Sequence, residues 1–141
     1  MAPSMRWTRL RRDETGTVAI EFALVGPILI VLLVGIVCYG GYFWLAHAVQ
    51  QVANDSARAA IAGLDDAERG SLAQSSLASG MADYPYLKVS NAAVTVARKD
   101  QQLSINVVYD ASSSPFWGMS GLVPMPPAKI ERRAVVRLGG Y

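Results

Sequence analysis

The sequence is short of the residues that build reactive sites. It holds one cysteine, Cys38, and one histidine, His47. A lone cysteine excludes an internal disulfide, and Cys38 sits inside an apolar run, where a thiol reads as a small packing or lipid-facing residue. His47 has no second ligand type beside it, so no metal is expected. The latter part of the chain has no Ser/His/Asp or Cys/His arrangement, no phosphate-cradling glycine loop and no spaced carboxylate pair, so neither catalysis nor a cofactor is expected. Gly35, Gly40 and Gly41 also lie in the apolar run, with no phosphate context. A charge excess is missing too. Arg6, Arg9, Arg11 and Arg12 against Asp13 and Glu14 already account for the net charge of +2. Everything after Gly16 is balanced, which speaks against a nucleic-acid surface.

Charge is absent altogether from Phe22 to Ala46, a stretch of 25 residues. A spanning helix needs about 20 predominantly apolar residues at ~1.5 Å rise each. A soluble core helix would show a polar face, and this stretch has none. The sequence therefore predicts one membrane span over 17–46. The arginines before it place the N-terminus in the cytoplasm and the remainder outside. Tyr39, Tyr42, Phe43 and Trp44 cluster at the far end as an interfacial aromatic belt. Glu21 and Trp44 lie roughly 34 Å apart along a helix, close to a hydrocarbon core with its margins. Pro27 frees the carbonyl of Ala23, which membrane helices tolerate where a neighbour satisfies it. A secretory signal peptide fits less well. Its apolar region is about 7–15 residues long, and the small-residue triplet Ala46-His47-Ala48 follows a full-length span.

The leading edge of the span raises a question that a plain anchor leaves open. Glu21 follows Gly16 by five residues, and the apolar run begins immediately after it. Glu21 can be read as a boundary residue whose carboxylate reaches the headgroups. A carboxylate at membrane depth is costly, however, and points to a partner. A cut after Gly16 would supply one, the new ammonium of Thr17. Within one helix Thr17 and Glu21 stand one turn apart, and between staggered copies the ammonium of one could meet the carboxylate of the next. In low dielectric such a pair is costly to desolvate, so it would set register more than net stability.

The basic leader, Gly16, then Thr17-Val18-Ala19-Ile20-Glu21-Phe22 and an apolar run resemble the processing site of type IV prepilins. The variant "VAIEFALVGPIL" is similar to the TadE-like pseudopilins of tight-adherence (Tad, Flp-type) pilus systems. "VANDSARAAIAG" (Val52–Gly63) resembles that family's Ala/Arg-rich helix extension. A strand ending "INVVYD", a Pro/Gly-rich loop and a final strand with Glu-Arg also recur there. The resemblance implies a pilin-like fold, a membrane prepilin peptidase that cuts at the Gly16–Thr17 bond, and an assembly role for Glu21. Type IV pilins usually begin with an aromatic residue or methionine after the cut, and Thr17 departs from that pattern.

Beyond the membrane the residues predict a small extracytoplasmic α+β domain over 47–141. The first helix continues to about Ala62 on seven alanines between Ala46 and Ala62. Gly63 is a plausible C-cap, and Arg58 stands at helical spacing from Asn54 and Asp55, either paired or on a solvated face. Asp65 and Glu68 form a capping-box pattern that opens a short second helix, ending near Gly80. The period then changes to two. Val94 and Val96, a turn at Lys99–Gln102, and Leu103, Ile105, Val107 and Tyr109 make a hairpin. A third strand over Lys129–Leu138 puts Ile130, Ala134, Val136 and Leu138 on one side, giving a small three-stranded antiparallel sheet. The connection Ala111–Pro127 is odd. It carries Phe116, Trp117, Met119, Leu122, Val123 and Met125 with no charge, more apolar material than a soluble loop normally exposes. It either folds back over the core or meets a partner or the membrane surface.

These readings converge on a structural protein without enzymatic activity. The resemblance makes it a minor pseudopilin of the bacterial cytoplasmic membrane, with its C-terminal domain periplasmic. Its partners would be the peptidase, other pilins or pseudopilins and the pilus assembly platform. The alternative is an uncleaved, single-pass anchored binding module that presents its loop outside the membrane.

Overall fold

The computed structural model describes residues 14–139. The leader arginines Arg6, Arg9, Arg11 and Arg12 lie outside the described residues. The chain is α+β: helix α1 (Glu14–Ile61), helix α2 (Asp66–Ala82), and strands β1 (Ala92–Lys99), β2 (Gln102–Asp110) and β3 (Lys129–Arg137). The strands form one antiparallel sheet in the order β1-β2-β3.

α1 is a single unbroken helix of 48 residues with Pro27 inside it. Its two halves bury different amounts because their sequences differ. From Gly16 to Leu33 nearly every side chain is exposed and apolar, and Gly16–Ile61 is long and apolar enough to cross a membrane. In the outer half the alanines interleave with Leu45, Val49 and Val52, and one face becomes buried: Leu45, Val49, Val52, Ala53, Ala57 and Ala60. Small side chains let the backbones of α2 and the sheet come close to α1. α2 contributes Ala73, Leu77 and Met81, spaced by four residues along one stripe. β2 contributes Leu103, Ile105, Val107 and Tyr109, and β3 adds Ile130 and Ala134. The register pairs Ile105 with Ala134 and Tyr109 with Ile130, so the apolar sets of both strands share one face. The hairpin turns where the sequence places it, with Lys99 opposite Gln102. Asp100 takes a left-handed φ of 54° there, a conformation that Asp visits more readily than most side chains.

The entry to α2 is the expected capping box. The carboxylate of Asp65 accepts from the backbone N–H of Glu68 at 2.7 Å, and the Glu68 carboxylate accepts from the N–H of Leu64, also at 2.7 Å. Arg58 takes the solvated face, one of its two readings: it has no partner in Asn54 or Asp55 and is exposed; Asn54 instead accepts from Gln50. The ion pairs among the described residues centre on Asp66, with Arg69 at 3.0 Å and Arg98 at 3.5 Å. The first lies within α2 and only the second ties its start to β1; Asp66 is largely exposed, so they contribute little.

Gly63 is not a left-handed cap. It lies two residues beyond the end of α1, and a Cβ there would come within 2.7 Å of the backbone nitrogen of Arg69. The glycine is required because the first turn of α2 folds back onto it. Gly63→Ala should therefore force α2 to shift, an overpacking cost of about 1–3 kcal/mol. The thermal melt of the full-length protein in detergent should drop by several degrees. An unchanged melt would mean that the α1–α2 connection can give way.

Candidate functional site

Two regions carry the residues singled out by sequence, and α1 joins them. At the inner end, Gly16, Thr17 and Glu21 lie in the first turns of the described helix. Thr17 and Glu21 are separated by four residues, so their side chains share one face. Glu21 is exposed, surrounded along the helix by the exposed apolar side chains of Val18, Ile20, Phe22 and Leu24. A Cβ added at Gly16 would meet nothing within 4 Å. Glycine in a helix costs about 1 kcal/mol relative to alanine, and no packing among the described residues calls for it here.

At the outer end the apolar loop is built on a narrow neck. The N–H of Ala111 donates to the carbonyl of Ala128 at 2.9 Å, closing the loop directly above the sheet. Asn91 Nδ2 donates to the carbonyl of Asp110 at 3.3 Å and to Ser113 Oγ at 2.8 Å. The carboxylate of Asp110 accepts from the N–H of Ser112 at 2.9 Å. That bond, helped by the Ser112 hydroxyl and the Lys129 ammonium against slight desolvation, holds the Asp110 carboxyl below its usual range. Beyond the neck, Pro115–Met119 forms a short 3-10 turn with Pro115 at its start, where the missing N–H is harmless.

This turn docks on α1 rather than only on the sheet. The Phe116 ring occupies the space that a Cβ on Gly41 would need. Val123 is buried, 3.9 Å from the corresponding position at Gly35. The hydroxyl of Tyr39 donates to the carbonyl of Pro124 at 2.7 Å. Cys38, on the same helix face, is fully buried. Trp117 is half-buried and packs edge-on against Tyr42 with ring centroids 6.0 Å apart. Met119 is half-buried as well, while Leu122 stands out at 64% exposure. The loop thus folds back, as one of its two readings expected, but its seat reaches down to the Gly35 level, within the apolar run.

The belt aromatics of α1 are joined by rings from later in the chain. Trp44 meets Tyr84 and Tyr86 edge-on at 6.0 and 6.3 Å, and Tyr86 meets Phe116 at 5.9 Å. Tyr86 has a left-handed φ of 73°. It is held there by Tyr109, whose hydroxyl donates to the carbonyl of Tyr86 at 3.1 Å and accepts from the N–H of Lys88 at 3.2 Å. The result is a collar of rings around α1 between Tyr42 and Leu45. Sequence reasoning missed Tyr84 and Tyr86. Their one signal was the pair of aromatics flanking Pro85, directly after the end of α2.

Among the described residues no group of three or more His, Cys, Asp or Glu side chains could hold a metal. Compared with known proteins, residues 16–58 match the family model described as TadE-like protein, just under a third of the chain. The matched segment begins at Gly16 and ends in the last turn of α1. No curated protein and no solved structure matches the chain.

Proposed function

We propose, from this TadE-like segment and its attached domain, that the chain is a minor pseudopilin: a structural and assembly protein of a Tad-type pilus. The family match and the long apolar helix support a membrane-anchored protein associated with such pili. The finer reading is that a prepilin peptidase cuts after Gly16. The observation that carries it is the glycine itself, which occupies a helical position where an added Cβ would meet nothing within 4 Å among the described residues. A peptidase must bring its backbone close to the scissile bond, and a residue without a side chain permits that approach. Glycine also weakens the helix locally, so the bond can leave helical geometry at lower cost.

Cleavage would place a new ammonium at Thr17, one helical turn from Glu21. Glu21 is the only charge between Thr17 and Ala46, and it would pair with the Thr17 ammonium of a neighbouring subunit, setting the stagger between them. The protein would sit in the cytoplasmic membrane with its leader inside and its domain in the periplasm. There it would meet other pilins or pseudopilins and the assembly platform. Its role is structural, not enzymatic.

The test is the intact mass of protein extracted from membranes of cells with and without the peptidase. The expected result is a chain starting at Thr17 in the first case and an uncut chain in the second. An N-terminus at Met1 or Ala2 in peptidase-competent cells would remove the processed reading and leave the anchored module.

A further inference from the structure

We propose that the tip of the apolar loop, residues 119–125, enters the membrane on the domain side and lies among the lipid acyl chains beside α1. The proposal rests on α1 spanning the bilayer and not on cleavage at Gly16 or on any pilus.

The argument starts from where the loop touches the helix. Val123 packs at the level of Gly35 and Pro124 is bonded at the level of Tyr39. If the whole domain stayed in water, the bilayer could extend no further along α1 than about Gly35. From Glu21 that leaves roughly 21 Å of helix, against a hydrocarbon core of about 30 Å. Measured instead from Glu21 to Trp44, the apolar length is roughly 34 Å, and the ring collar falls at headgroup level, where Trp and Tyr collect. The two placements differ by nine residues, or about 13 Å of depth. The second placement matches the core thickness and puts the loop tip inside it.

The loop is built for that environment. No residue between Asp110 and Lys129 is charged, and both of these charges lie at the neck, on the water side of the collar. In hydrocarbon an unpaired backbone group is expensive, and the tip pairs part of its backbone. The N–H groups of Ser120, Leu122 and Val123 donate to the carbonyls of Trp117, Met119 and Met119. Pro124, Pro126 and Pro127 have no N–H to satisfy. The Pro124 carbonyl receives the Tyr39 hydroxyl from α1. Leu122 is exposed to 64%, much as the apolar side chains of Ile36 and Val37 on α1 are. A water-facing loop gains nothing from such a side chain. A lipid-facing one does.

Depth measurements on the full chain in phosphatidylethanolamine/phosphatidylglycerol vesicles test this. A nitroxide is attached in a Cys38→Ala background to Leu122→Cys, to Val31→Cys in mid-span, and to Gln101→Cys in the hairpin turn. Its accessibility to oxygen, which concentrates in hydrocarbon, is compared with that to a water-soluble nickel chelate. The labels at residues 122 and 31 should both favour oxygen, and the label at residue 101 should favour nickel. A label at residue 122 open to nickel while residue 31 favours oxygen would overturn the insertion but leave the span intact. Nickel access at residue 31 would remove the span itself. A label at residue 122 shielded from both reagents would mean that a second copy covers the tip, and would also overturn the proposal. The variant labelled at residue 122 should melt like the Cys38→Ala background, since Leu122 is mostly exposed and its loss leaves the seat of Phe116 and Val123 untouched.

Discussion

Gly16→Val should leave the leader attached to a chain that inserts and folds normally. The side chain has open space at that position, and valine is a better helix residue than glycine by several tenths of a kcal/mol. Any effect on cutting is therefore separated from an effect on stability. Intact-mass measurement of membrane-extracted protein should show complete retention of residues 1–16, with an unaltered thermal melt. A Thr17 N-terminus on the valine variant would show that the glycine is dispensable, and the reading of Gly16 as a peptidase requirement would fail.

Glu21→Ala should have the opposite profile: normal insertion and cutting, and loss of assembly. The expected pair joins the Glu21 carboxylate to the Thr17 ammonium of a neighbour at membrane depth. Removing one member of a buried pair leaves the other charge uncompensated, at a cost of about 3–5 kcal/mol. That corresponds to at least a hundredfold, by order of magnitude, in the association constant. Co-purification with pilin partners and counts of surface pili give the readout. Pili in normal number on cells carrying Glu21→Ala would return this residue to the role of a headgroup-level boundary charge.

Much of the fold could be read from local signals, because the elements concerned are specified locally. The strict alternation Leu103-Ile105-Val107-Tyr109 defines a buried face of a strand and nothing else. Asp65 and Glu68 can satisfy the first N–H groups of α2 whatever surrounds them. The run from Phe22 to Ala46 has a length that only a bilayer explains well. Where sequence reasoning fell short, the reason was tertiary. Gly63 looks like a cap and is instead a point of close approach by Arg69. Gly41 reads as an ordinary glycine of a membrane helix, yet it makes room for a ring 75 residues further along. Tyr84 and Tyr86 gain meaning only when the turn after α2 brings them beside Trp44. For the loop, composition gave two possible destinations. Its contacts with Gly35, Tyr39 and Gly41 fix its depth along α1.

The unbroken course of α1 carries one more consequence. No hinge separates the exposed apolar part of the helix from the part that supports the sheet, so a rotation at one end is a rotation at the other. On an ideal helix, about eight whole turns separate Glu21 from Gln50, so the two side chains leave the rod at nearly the same compass bearing. Gln50 is where α1 touches β3, through its bond to the Arg133 carbonyl at 3.2 Å. If Glu21 pairs with a neighbour at the foot of the rod, that neighbour would be expected on the β3 side at its head. On that pairing the carboxylate would work as a compass needle, aiming a domain about 40 Å above it.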